Sequence, residues 1–168
     1  MQRNIVFKIM TGILVLIATT ARAQYNTDRL ITIGRSALYY EDYVLSIQYF
    51  TQAITSKPYL YEPWFLRGVA KYYLEDYMGA ETDCSEAIRI NPFVTNLYEL
   101  RGLARIQQKK YEEAIADYTR ALQYSPENQG FWQNRAICRM QMKDYDHSLF
   151  NRLTAEAASS SNSPFLPT

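Results

Sequence analysis

The strongest constraint in this sequence is a period. Gly34, Gly68 and Gly102 stand 34 residues apart, and so do Pro58, Pro92 and Pro126. With six glycines and six prolines in 168 residues, half of each type falls on one step. The same step joins Tyr43, Tyr77, Tyr111 and Tyr145; Ala53, Ala87, Ala121 and Ala155; Leu30, Trp64, Tyr98 and Trp132; and the small residues Ser46, Ala80, Ala114 and Ser148. So many coincident ladders exclude chance. A step of this length means stacked supersecondary units, each burying an apolar face against its neighbour, rather than one closed core.

Within a period the apolar spacing is helical. Trp64, Gly68 and Lys71 precede Ala80, Cys84, Ala87 and Ile88 in steps of three and four, and strand alternation does not occur. Each unit therefore holds two helices. Each proline stands where the second should stop, because the residue before proline is pushed out of the helical region. Turns such as Glu41-Asp42-Tyr43 and Glu75-Asp76-Tyr77 are short enough to make the paired helices antiparallel.

Residues 61–94 resemble the tetratricopeptide repeat through Trp64, Gly68, Tyr77, Ala80, Ala87 and Pro92. Residues 95–128 match through Tyr98, Gly102, Tyr111, Ala114, Tyr118, Ala121 and Pro126. A looser unit at 27–60 keeps Gly34, Phe50, Ala53 and Pro58, with Leu30 for the aromatic and Ser46 for alanine. A fourth begins at 129 with Trp132, Ala136 and Tyr145, but has Arg152 where the others have Phe50, Cys84 and Tyr118, and lacks the proline. The resemblance implies an all-α fold: a right-handed α-solenoid of antiparallel helix pairs, three full repeats and a degenerate fourth over 129–156. The repeat domain is expected over 24–158, and the Ser-rich end at 159–168 reads as a disordered tail.

Residues 1–23 read as an address. Arg3 and Lys8 precede an apolar run from Ile9 to Ala18, and Ala21-Arg22-Ala23 supplies a small-residue cleavage site before Gln24. A retained anchor would need about 20 apolar residues, more than this run offers. Cleavage removes three basic residues and no acidic one, leaving a slightly acidic chain. Sec-type export is the expectation. The lack of an N-glycosylation acceptor favours a bacterial periplasmic or secreted protein. With 18 Lys+Arg against 17 Asp+Glu overall, there is no electrostatic case for nucleic acid or an anionic membrane as partner, and cleavage is expected to leave no membrane span.

The catalytic inventory is poor. His147 is the one imidazole, and it reads as a solvated helix residue. Cys84 and Cys138 lie three helices apart in the array, about 25 Å at ordinary helix spacing, where a disulfide needs Cα atoms within about 7 Å. Both read as small core residues. Acidic pairs at Glu41-Asp42, Glu75-Asp76 and Glu112-Glu113 fall at turns or helix starts, where carboxylates suit the positive helix end better than acid–base work. No glycine cluster cradles phosphate. The expectation is a non-enzyme without cofactor or metal. Arg67, Arg101 and Arg135 recur with Lys71, Arg105 and Arg139 four residues later, and Asp83 and Asp117 of preceding units suggest an ionic ladder between units. A structural role for these charges is the stronger reading, and a ligand-facing basic stripe the weaker.

The family resemblance implies that first helices line a concave groove for a peptide or a helix of another protein. Carried onto this sequence, the lining is Arg35, Leu38 and Tyr39; Phe65, Val69, Tyr72 and Tyr73; Glu99, Leu103 and Ile106; and Gln133 and Ile137, with Ile31 and Met140 beside them. Relatives that grip acidic C-termini use a Lys, Arg and Asn clamp, and matching places here hold Ile31, Leu66 and Leu100. The lining suggests apolar anchors, with Phe65, Tyr72 and Tyr73 as the main contributors. The competing reading is a self-associating unit, or an N-terminal piece of a longer array, motivated by the fourth unit's missing proline.

Overall fold

The computed structural model describes the backbone of residues 2–143 and the side chains of 9–13 and 26–143. His147, Arg152, the second helix expected for the fourth unit and the tail at 159–168 lie outside these residues. Six bounded helices follow one another: α1 (Gln2–Tyr39), α2 (Tyr43–Ser56), α3 (Tyr61–Tyr73), α4 (Tyr77–Ile90), α5 (Thr95–Gln107) and α6 (Tyr111–Tyr124). A seventh stretch, α7, is helical over 129–143. There is no strand among the described residues. The first helix begins well before the first repeat, so residues 2–23 and the opening of the array share one helix.

The helices start and stop for local reasons repeated at each step. Helices α2, α4 and α6 each end two residues before Pro58, Pro92 and Pro126, as the restriction on pre-proline residues requires. The connections at 40–42, 74–76 and 108–110 are three residues long, and Glu41, Glu75 and Lys109 at their centres have φ of 61°, 62° and 61°. This left-handed residue lets the next amide reach back: Asp42 N donates to Ala37 O at 2.9 Å, Asp76 N to Lys71 O at 2.9 Å and Lys110 N to Arg105 O at 2.8 Å. Carboxylates of Asp42 and Asp76 then accept from the amides of Leu45 and Gly79, capping α2 and α4.

Each helix packs on the next, α1 on α2 through α5 on α6, and the odd helices also touch one another, α1 with α3 and α3 with α5. The result is an α-solenoid in which odd helices form one face. Its interior is thin and alanine-rich: Ala53, Ala70, Ala80, Ala87, Ala104, Ala114 and Ala121 are wholly buried, filled out by Phe50, Leu97, Tyr118 and Phe131. The periodic glycines pack against second helices. A methyl at Gly34 would stand 2.6 Å from the Phe50 ring, and one at Gly102 would stand 2.9 Å from Tyr118 Cζ. Cys84 and Cys138 are free thiols in the core, as expected. Burial, and Asp83 beside it, push the Cys84 thiol up to about 12.

Candidate partner-binding groove

Two periodic networks hold the odd helices in place. At the start of each unit an aromatic donor latches onto the carbonyl of the proline that ends the preceding one: Trp64 Nε1 donates to Pro58 O at 3.1 Å, Tyr98 OH to Pro92 O at 2.9 Å and Trp132 Nε1 to Pro126 O at 2.8 Å. The arginine three residues on lies over each ring, with guanidinium carbons 5.0, 5.8 and 4.3 Å from the centroids for Arg67, Arg101 and Arg135. Sequence reading explained the aromatic and proline ladders separately, by packing and by helix termination. They are also two ends of one hydrogen bond.

The second network corrects one part of the expected ionic ladder, the placement of Asp83 and Asp117. Arg67 grips Asp83 bidentately at 2.8 Å, and Lys71 joins at 2.9 Å; Arg101 and Arg105 converge on Asp117 at 2.6 and 2.8 Å. Each of these aspartates lies in the same unit as its arginines, because a 16-residue separation brings two residues to one level across a helical hairpin. The same arginines reach the preceding unit through hydroxyls, Arg67 Nη1 donating to Thr51 Oγ1 at 3.0 Å, Arg101 Nη1 to Ser85 Oγ at 3.1 Å and Arg135 Nη1 to Thr119 Oγ1 at 3.4 Å, while the ion pairs between units are made by Glu62 with Arg35 and by Glu81 with Arg105 and Lys110. Thr51, Ser85 and Thr119 also stand 34 residues apart, a signal present in the sequence and missed. Asp83 and Asp117 are 1% and 2% exposed, so the basic residues serve structure.

With these charges turned inward, the odd-helix face offers two adjoining depressions. One of about 520 Å³ is lined by Arg35, Leu38, Tyr39, Glu41, Tyr43, Leu66, Val69 and Tyr73. The other, about 230 Å³, is lined by Phe65, Val69, Tyr72, Tyr73, Asn96, Glu99, Leu100 and Leu103. Val69 and Tyr73 belong to both, so the depressions share a wall. The rings stiffen it: Tyr43 stacks on Tyr73 at 5.1 Å and 9°, and Tyr72 meets Tyr73 edge-on at 6.1 Å and Tyr77 at 5.5 Å.

Of the residues expected in the groove, the structure brings Arg35, Leu38, Tyr39, Phe65, Val69, Tyr72, Tyr73, Glu99 and Leu103 into this pair of depressions. Ile106 instead packs, partly buried, against the core around Tyr98, Tyr118 and Phe131. Gln133 and Ile137 are exposed on α7 and line neither depression. Leu66 and Leu100, noted in sequence as replacing clamp residues, contribute floor. Glu41 and Tyr43 were not expected here: they come from the turn and the second helix of the first unit. Among the described residues no group of His, Cys, Asp and Glu is arranged to hold a metal ion.

Family models described as tetratricopeptide repeat match residues 65–130 and 105–158. No curated protein matches the chain. Among solved structures, the first tetratricopeptide domain of Spaghetti (RPAP3), bound to the HSP90 peptide SRMEEVD, is 27% identical, with 71% of this chain and 97% of that one covered at a TM-score of 0.68. The first such domain of human RPAP3 is also 27% identical, with 74% and 98% covered at 0.70. MamA, 16% identical, shares the fold over 84% of this chain and 80% of its own at 0.69.

Proposed function

We propose that the chain, which matches tetratricopeptide-repeat models over residues 65–130 and 105–158, is a non-enzymatic adaptor holding a peptide or helix of a partner protein in the groove between Tyr39 and Leu103. The observation that carries this reading is the shared wall of Val69 and Tyr73, which joins two largely apolar depressions into one continuous lining. The relative bound to the peptide SRMEEVD lends support, since it holds a short segment on the same fold. Capture from an envelope fraction with the parent chain, beside the triple variant Phe65→Ala, Tyr72→Ala, Tyr73→Ala, tests it. A partner retained by the parent and lost by a variant that keeps its helical circular dichroism is the expected result. Equal recovery by both baits overturns the groove.

We also infer export, with the adaptor working in the periplasm or outside the cell. The support is the charge, apolar-run and small-residue order of residues 1–23. N-terminal sequencing of protein purified from the producing cell should begin at Gln24; a chain still beginning at Met1 in the soluble envelope fraction overturns this reading.

A further inference from the structure

The charge of the groove is set by which side chains are already occupied. Arg35, the one basic residue lining either depression, is paired with Glu62. Arg67, Lys71, Arg101 and Arg105 are committed to Asp83, Asp117 and Glu81 between the helices. Two lining carboxylates remain, Glu41 in the first depression and Glu99 in the second, and neither has an ion pair or hydrogen bond among the described residues. The uncompensated charge of the lining is therefore negative, at one point in each of the two adjoining depressions.

We propose that the partner segment is basic, and that the first depression receives a Lys or Arg side chain, with Glu41 as its counter-ion and the Tyr39, Tyr43 and Tyr73 rings as its walls. This rests on the groove reading above and names the chemistry of its occupant. A cation is attracted to the faces of tyrosine rings, and that attraction grows as water is excluded. The site is built to present both features. Glu41 sits at a turn residue held at φ 61° by the amide of Glu41 donating to Leu38 O and that of Asp42 to Ala37 O. Tyr73, one of the walls, is fixed by stacking on Tyr43. The second depression supplies apolar floor from Leu100 and Leu103, with Glu99 favouring a further basic residue beside an aliphatic or aromatic anchor.

The same arrangement works against acidic segments. A carboxylate entering either depression would meet Glu41 or Glu99 and no unengaged cation, so it would lose water without gaining a partner. The chain is thus expected to refuse the acidic peptide SRMEEVD held by its structural relative.

Selection of random 12-residue displayed peptides on the full chain tests the proposal, run in parallel on Glu41→Lys/Glu99→Lys and on the triple alanine variant. Enrichment of Lys/Arg-containing peptides by the parent, a switch toward Asp/Glu in the charge-reversed variant and loss of enrichment in the alanine variant are expected. For a selected peptide, Glu41→Gln should weaken binding about two- to fivefold by fluorescence anisotropy, as for a partly exposed ion pair beside aromatic rings. Peptides of acidic or indifferent charge on the parent, or no weakening by Glu41→Gln, overturn the proposal while leaving the groove standing. Enrichment that survives the alanine variant, or none at all, overturns the groove and the proposal together.

Discussion

A methyl group on Gly68 would meet Asp83 Cβ and Cys84 Sγ at 3.4 Å, an ordinary contact, whereas on Gly102 it would meet the Tyr118 ring at 2.9 Å. The glycine requirement is thus a property of a pair: Gly34 with Phe50, Gly102 with Tyr118, and Gly68 with the much smaller Cys84. Gly68→Ala should stabilise by about 0.5–1 kcal/mol through helix propensity, while Gly102→Ala should cost about 1–3 kcal/mol by overpacking. Urea unfolding of both variants checks the contrast, and equal losses would show that the second unit is as tight as the third. The hydroxyl of Tyr118 is itself buried with no hydrogen-bond partner among the described residues. Phe50 fills the equivalent place in the first unit, so Tyr118→Phe should be neutral or stabilising by up to about 1 kcal/mol in the same experiment. Periodicity alone located these positions, since a step of 34 singles out Gly34, Gly68 and Gly102. It could not show that one of them has room to spare, because that depends on a residue 16 places on.

The turns carry the analogous lesson for elements. All three place a non-glycine residue in the left-handed region, at Glu41, Glu75 and Lys109, where a β-carbon costs roughly 1–2 kcal/mol. Glu75→Gly should relieve that cost and raise stability by about 0.5–1 kcal/mol after the entropy of glycine is counted. Asp76→Ala, one residue on, should lose about 1 kcal/mol with the cap on Gly79 N. Thermal melts of the two single variants and their double separate backbone strain from capping. Helix ends were legible because proline and aspartate mark them by their chemistry. The left-handed residues were not, since neither Glu nor Lys advertises that conformation, and only the tertiary demand for a three-residue hairpin imposes it. The groove was partly legible for a related reason. The resemblance assigns the groove to the first helices, and the structure has Val69, Tyr73 and Leu103 of that expected set lining depressions. A first helix also presents residues to the next pair, and this sends Ile106 to the core. Spacing within one helix could not reveal that a turn and a second helix supply Glu41 and Tyr43.

At the scale of the molecule, an array has no single core, and its cooperativity depends on contacts between neighbouring units. The densest polar contact between the second and third units is Glu81 of α4. Its carboxylate accepts from Arg105 Nε at 2.9 Å, Gln108 Nε2 at 2.9 Å and Lys110 Nζ at 2.8 Å. Lys110 occupies the place held by the capping aspartates Asp42 and Asp76, so the third unit gives up a cap for this bond. Burial alone would raise the Glu81 carboxyl, but the hydrogen bonds of Lys110, Arg105 and Gln108 outweigh it and bring it from 4.5 down to about 2. A carboxyl lowered on folding stabilises the folded form fully above its unfolded value and loses that stabilisation as pH falls toward its folded one. The junction should therefore weaken between about pH 4.5 and 2, by on the order of 2 kcal/mol once its partial exposure to solvent is allowed for. Glu81→Gln should be less stable than the parent at pH 7 and should lose less on acidification. Urea unfolding of both chains at pH 7, 4.5 and 3 measures this, and parallel losses would place the acid sensitivity elsewhere. Because the bond joins units rather than filling one, its loss should also show in the shape of the transition: at pH 3 the parent should unfold over a broader range of urea, as neighbouring pairs begin to melt separately.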